Sequence, residues 1–276
     1  MDGPRFLRGA DWVRIAVRAV GDPQEPPIVF VHGWASSSNA WSDQLTDLEL
    51  AARHRLIAMD LRGHGMSEVP VSGYDQASVW ADDLAAVLAH AGRPAVLVGW
   101  SYGGLVITDY LRERGTAGIA GLVLTGALTE IGADRPGGAT GSAWDGIMRA
   151  ALSEDVDDAV PALATLATRM TATPRSGTEV QRHLGEMLSV PPAVRKALFR
   201  RDVDSADVLA AVDVPTLVVH GTEDTVVAPS SAEYAAGKIP GAILRWFPSV
   251  GHMPFTERRA EFTSTLLEFA GSVANH

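Results

Sequence analysis

The chain has 276 residues, a formal net charge of −10, 46% hydrophobic residues and no cysteine. That length suits one large α/β domain, or a domain carrying an insertion, with a core that needs neither metals nor disulfides. The acidic balance disfavours a phosphate-backbone partner, so nucleic acid is set aside, and the missing thiols exclude cysteine catalysis and Cys-based metal sites.

The opening stretch, Met1 to Arg8, lacks the apolar run of a signal peptide. No later run approaches the ~18 apolar residues of a membrane helix. A cytoplasmic location without membrane association is therefore expected. Trp12-Val13-Arg14-Ile15-Ala16-Val17 alternates loosely and predicts an early, half-exposed strand. Ile28-Val29-Phe30-Val31 is a continuous apolar run, as a strand buried on both faces requires. Residues 56–59, 95–98, 122–124, 216–219 and 242–246 repeat the type. Between them, Trp80, Leu84, Val87, Leu88 and Ala91 share one helical face. That helix is expected from Asp75, as its cap, to the stop at Gly92-Arg93-Pro94. Further helices are predicted over Leu105–Arg114 and from about Thr256 to Ala270, the latter burying Phe262, Leu266 and Phe269. Strands alternating with helices imply a mostly parallel sheet. The alternation stops between residues 128 and 212, where apolar residues such as Leu163, Leu166 and Met170 fall at helical spacings. The expected organisation is a core of residues 1–127 and 213–276, with 128–212 as a helical cap over the strand ends.

Ligands of such sheets sit beyond the carboxyl ends of the strands. There the sequence places His32-Gly33-Trp34, Asp60-Leu61-Arg62-Gly63-His64-Gly65, Gly99-Trp100-Ser101-Tyr102-Gly103-Gly104, His220-Gly221-Thr222-Glu223-Asp224 and Gly251-His252-Met253-Pro254. Gly-x-Ser-x-Gly between a strand and a helix is a nucleophile elbow: a turn so tight that its neighbours must lack bulk, with the hydroxyl of Ser101 pushed out at the helix N-terminus. The N–H groups at that end are unpaired, so the amide of Tyr102 is a candidate oxyanion donor. The second donor is expected from the loop after residue 31, through the amide of Trp34.

A serine hydroxyl needs an adjacent base. His54 and His90 read as solvated, His183 as a surface residue of the cap, and His276 as the last residue. His32, His64 and His220 read as loop-shaping. His252, rigidly held between Gly251 and Pro254, is the candidate base. Its orienting acid is expected to be Asp224, with Glu130 as the alternative. The chain order Ser101, Asp224, His252 is that of the elbow hydrolases.

With these segments in order over nearly its whole length, the sequence resembles the α/β-hydrolase superfamily, most closely the small bacterial esterases and the cofactor-free haloperoxidase, or perhydrolase, branch. The resemblance implies an eight-stranded, mostly parallel sheet with helices on both faces, a cap between strands six and seven, and oxyanion amides at Trp34 and Tyr102. It implies no metal and no organic cofactor. Epoxide hydrolases and haloalkane dehalogenases of similar fold place aspartate where this chain has Ser101, which argues against both chemistries. The expected reaction is hydrolysis of a small-molecule ester or lactone through an acyl-enzyme, with perhydrolysis as a side activity. A C–C bond hydrolase and a slow-turnover ligand-binding signalling receptor are the alternatives. Trp34, Trp144, Ile147, Met148, Leu166, Met170, Met187 and Phe199 are candidate pocket residues.

Overall fold

The computed structural model describes residues 3–273, so His276 lies outside the described residues. Eight strands form one sheet in the order β1-β2-β4-β3-β5-β6-β7-β8. They are β1 (Arg5–Arg8), β2 (Arg14–Val20), β3 (Pro27–Val31), β4 (Arg55–Met59), β5 (Ala95–Trp100), β6 (Ile119–Thr125), β7 (Thr216–Gly221) and β8 (Ile243–Phe247). β1 and β2 join antiparallel, and β4 to β8 with β3 are parallel throughout. β3 and β5 are buried at every residue, which accounts for their unbroken apolar sequences. β1, with mostly exposed residues, carries no such signature in the sequence.

Short helices α1 (Ser42–Leu45) and α2 (Leu48–Arg53) follow β3. α3 (Ala77–Ala91) and α4 (Tyr102–Arg114) flank β5. Between β6 and β7 come α5 (Met148–Ala151), α6 (Val156–Thr168), α7 (Gly177–Ser189), α8 (Pro192–Leu198) and α9 (Ala206–Ala210). The chain ends with α10 (Pro229–Lys238), α11 (Pro254–Glu257) and α12 (Arg259–Val273). Register places helices on both faces. A methyl group on Gly99 would meet Ile107 of α4, whereas one on Gly121 would meet Phe269 and Val273 of α12. Gly121 pairs with Val96, and residues 96 and 99 point to opposite sides of a strand. α4 and α12 therefore cover opposite faces.

Two boundaries differ from the sequence reading. Asp75 does not cap α3: Gln76 stands at that position without a side-chain bond, and the helix starts at Ala77. Its end is as expected, with Gly92 in the left-handed region at φ 77° and its N–H on Leu88 O. The last predicted helix is two, because Arg258 leaves helical geometry at φ −127°, ψ 52°.

Residues 128–212 fold back so that their two ends meet. Ile131 bridges Val203 in both directions, and Glu130 accepts hydrogen bonds from Gly137 N, Ser205 N and Tyr234 Oη. Contacts that tie this segment to the loops after the strands include Trp34 Nε1 donating to Arg195 O and His252 N donating to Met170 O. Among the described residues no helix is long and apolar enough to cross a membrane.

Candidate active site

Ser101 is the hinge between β5 and α4. Its backbone is held at φ 54°, ψ −122°, a region that costs an L-residue energy unless its surroundings hold it there. Three hydrogen bonds do so: Ser101 N to Thr125 O at 3.1 Å, and Gly104 N and Leu128 N to Ser101 O at 2.9 and 3.0 Å. The neighbouring glycines are there for clearance. A methyl group on Gly103 would collide with the carbonyl oxygen of Val31 and stand 2.8 Å from that of His32, so α4 could not sit against the end of β3. A methyl group on Gly33 would stand 2.9 Å from Ser101 Cβ, which shows how closely the Gly33-Trp34 loop abuts the serine. Tyr102, the first residue of α4, keeps its N–H out of the helical ladder and beside Ser101. Its hydroxyl lies on the far side, donating to Leu198 O and accepting from Arg201, whose other nitrogen pairs with Asp109 at 2.7 Å. Burial pushes that phenol up to about 12, so it stays protonated.

The imidazole of His252 is buried, with Nδ1 2.7 Å from Asp224 Oδ2. Trp100 Nε1 donates to His252 O at 2.9 Å, and the two rings lie 5.4 Å apart. The loop is thus pinned from both sides, by Trp100 and by Met170. His252 Nε2 has no hydrogen-bond partner among the described residues, and the side chain lines the same cavity as Ser101.

Asp224 turns inward while its neighbour Glu223 is exposed. Its Oδ1 accepts from Val226 N at 2.8 Å and Val227 N at 3.0 Å, and Oδ2 meets both His252 and His220. Burial alone would raise its pKa, but the proximity of His252 and the hydrogen bonds from His220 and His252 outweigh it. The carboxyl is held well below the usual carboxylate range. Glu130, the alternative acid, spends both oxygens on Gly137, Ser205 and Tyr234.

Ser101 and His252 face a narrow cavity closed by Trp34, Leu128, Thr140, Trp144, Leu166, Met170, Met187, Phe199, Val226 and Val227, with Trp100 behind. Trp34, Trp144 and Phe199 meet edge to face, with ring centroids 5.4 to 5.5 Å apart. Met148 and Ile147 are not part of this lining. They are half-buried in and beside the short α5, packed against the hydrophobic core.

Other histidines also depart from expectation. His54 is buried, its Nδ1 3.2 Å from Pro26 O, and His90 is half-buried with Nε2 3.1 Å from Arg55. His183 is buried as well, because it lies one turn before Met187 on the inward face of α7. Burial holds it down to about 4. His32 is loop-shaping as expected: Nε2 accepts from Leu61 N and Nδ1 donates to Gly33 O. His64 donates from Nδ1 to Arg62 O. Sequence reasoning gave no role at the site to Arg201 or to the contact between His220 and Asp224. The second had a local signal, the spacing of four residues after a strand end.

Residues 28–265 match the Alpha/beta hydrolase family. The chain is 43% identical to an esterase, RhEst1 from Rhodococcus sp. ECU1013. That crystal structure superposes with a TM-score of 0.94, covering 99% of this chain and 100% of the other. A non-heme haloperoxidase of Rhodococcus erythropolis is 30% identical, over 97% of this chain and 99% of its own. Est816, described as an N-acyl homoserine lactone degrading enzyme, is 26% identical with a TM-score of 0.75, covering 95% and 99% of the two chains.

Proposed function

We propose that this chain, which belongs to the alpha/beta hydrolase family, is a serine hydrolase that cleaves small apolar esters or lactones through an acyl-enzyme on Ser101. The single observation that carries the reading is the buried line Asp224–His252 ending in a free Nε2 in the cavity that Ser101 faces. In this reading Ser101 Oγ attacks the carbonyl carbon while His252 Nε2 takes its proton. Asp224, held as a carboxylate, keeps the hydrogen on Nδ1 and stabilises the imidazolium. The carbonyl oxygen, now negative, is held by the amides of Trp34 and Tyr102 at the positive end of α4. His252 gives its proton to the leaving alkoxide, then deprotonates water, which attacks the acyl carbon; the C–O bond to Ser101 breaks and His252 returns that proton to Ser101 Oγ. Hydrogen peroxide in place of that water would release a peracid, the side reaction suggested by the haloperoxidase relative.

The mostly apolar lining suits an acyl or alcohol group with few polar atoms. Residues 128–212, joined at their ends by the Ile131–Val203 bridge, act in this proposal as a cap on a core of 1–127 and 213–276. The location is taken to be the cytoplasm, which suits a chain without cysteine, and no nucleic-acid partner is assigned.

The test is turnover of p-nitrophenyl acetate with mass detection of the protein. The wild type should turn over repeatedly and gain one fluorophosphonate adduct on Ser101, and Ser101→Ala should do neither. A wild type that holds ligand without turnover, or turnover surviving in Ser101→Ala, overturns the reading.

A further inference from the structure

We propose that His220 is a positioning residue for the triad, fastening Asp224 through Oδ2 in the orientation in which it meets His252; this rests on the reading of Ser101, His252 and Asp224 given above. His220 lies on β7, fully buried, with Nε2 3.2 Å from Asp224 Oδ2 and 3.1 Å from Val227 O. Both neighbours of Nε2 are acceptors, so Nε2 carries the hydrogen. Nδ1 then has only a lone pair to offer, and among the described residues it finds no partner. The bonds that His32 and His64 make go to backbone groups, whereas His220 meets the carboxylate of Asp224. His220 leaves Nδ1 buried and idle, while the hydrogen on Nε2 is shared between Val227 O and the acid 3.2 Å away.

The geometry says what that hydrogen does. Asp224 Oδ1 is held by two amides of its own turn, those of Val226 and Val227. Those bonds anchor one oxygen but leave the carboxylate free to swing about it. The second oxygen is the one His252 needs. His220 approaches it from β7, is not among the residues that line the cavity, and is itself tied to Val227 O. Val227 thus bonds Asp224 through its N–H and His220 through its carbonyl, closing a rigid ring of hydrogen bonds around the acid. Trp246, with its ring 6.0 Å away and edge-on, backs the imidazole. His220 touches no reacting atom and acts through Asp224.

The test compares His220→Gln, which keeps an N–H donor at similar reach, with His220→Met, which has similar length and no donor. In His220→Met, kcat on p-nitrophenyl acetate should fall about ten- to a hundredfold, the equivalent of one lost hydrogen bond to a charged group. KM should stay within about twofold, a split that marks loss of transition-state positioning rather than binding. His220→Gln should recover most of kcat. The far-downfield proton resonance of His252 Nδ1–H should move in His220→Met and stay near its wild-type position in His220→Gln. If His220→Met does not fold, His220→Phe, which keeps a ring against Trp246, takes its place. Wild-type kcat in the donor-free variant overturns the proposal, as does equal damage in the donor-free and Gln variants with an unmoved resonance. Ser101→Ala separates the two claims. If it stays active, the triad reading itself has failed. If it is dead while His220→Met is fully active, only the role of His220 is lost.

Discussion

Asp224→Asn is the sharpest perturbation of the site, because the structure dictates how the amide must sit. The carboxylate receives three hydrogen bonds, from Val226 N and Val227 N on Oδ1 and from His252 Nδ1 on Oδ2, and His220 Nε2 stands 3.2 Å from Oδ2 as well. An asparagine has one acceptor oxygen. Two backbone amides cannot turn away, so the oxygen stays at the Oδ1 position and the NH2 group takes the place of Oδ2. It then points hydrogens at His252 Nδ1 from about the 2.7 Å now seen. His252 relieves the donor–donor conflict by moving its hydrogen to Nε2, and the nitrogen facing Ser101 becomes a donor instead of a base. The expected loss in kcat is of order 10⁴, the magnitude associated with this substitution in a serine triad, or roughly 5.5 kcal/mol of transition-state stabilisation. Steady-state p-nitrophenyl acetate hydrolysis at pH 7.5, read beside the circular dichroism spectrum, measures both activity and fold. Asp224→Asn retaining more than about a tenth of wild-type kcat would refute the reasoning. So would a comparable loss in folded Glu130→Gln, since among the described residues Glu130 bonds to Gly137, Ser205 and Tyr234 and not to His252.

Gly103→Ala should cost more than about 2 kcal/mol of stability in urea unfolding and abolish activity, because its methyl group meets backbone oxygens of Val31 and His32 rather than a yielding side chain. Phe199→Ala removes one wall of the aromatic trio with Trp34 and Trp144. Its kcat/KM for branched or aromatic acyl esters relative to acetate should rise about tenfold or more, and an unchanged ratio would place the acyl group elsewhere. Burial, reinforced by the neighbouring His32, holds His64 down to about 3. The unfolded chain, with histidine near ~6.5, therefore binds this proton first, and stability falls with pH from about 6.5 towards 3. His64 accounts for about 2 kcal/mol of loss at pH 5, so His64→Asn should flatten the measured fall in unfolding free energy between pH 7 and pH 5 by about that amount.

The parts of this molecule legible in its sequence are those where local chemistry and tertiary demand coincide. β3 and β5 are apolar at every position because helices cover both faces of the sheet. The glycines at 99 and 103 flank a serine because α4 must turn back against the end of β3. β1 escaped because an edge strand with exposed residues needs no periodic pattern. The histidines show the limit from the other side. His183 and His54 look like surface residues by type, and they are buried only because distant chain segments close over them. Met148 looks like a pocket residue by type, but α5 turns it onto the hydrophobic core instead. His220 is the most instructive case. Its place after a strand end was visible, and so was its spacing to Asp224. What no local rule supplies is that the Asp224 turn brings Oδ2 to within 3.2 Å of His220 Nε2 while His252, from the loop after β8, takes the same oxygen. A carboxylate shared by two imidazoles is a property of three chain segments at once. It follows that substitutions at Val226 or Val227 that disturb their backbone should mimic loss of His220, though neither side chain bears a reactive group.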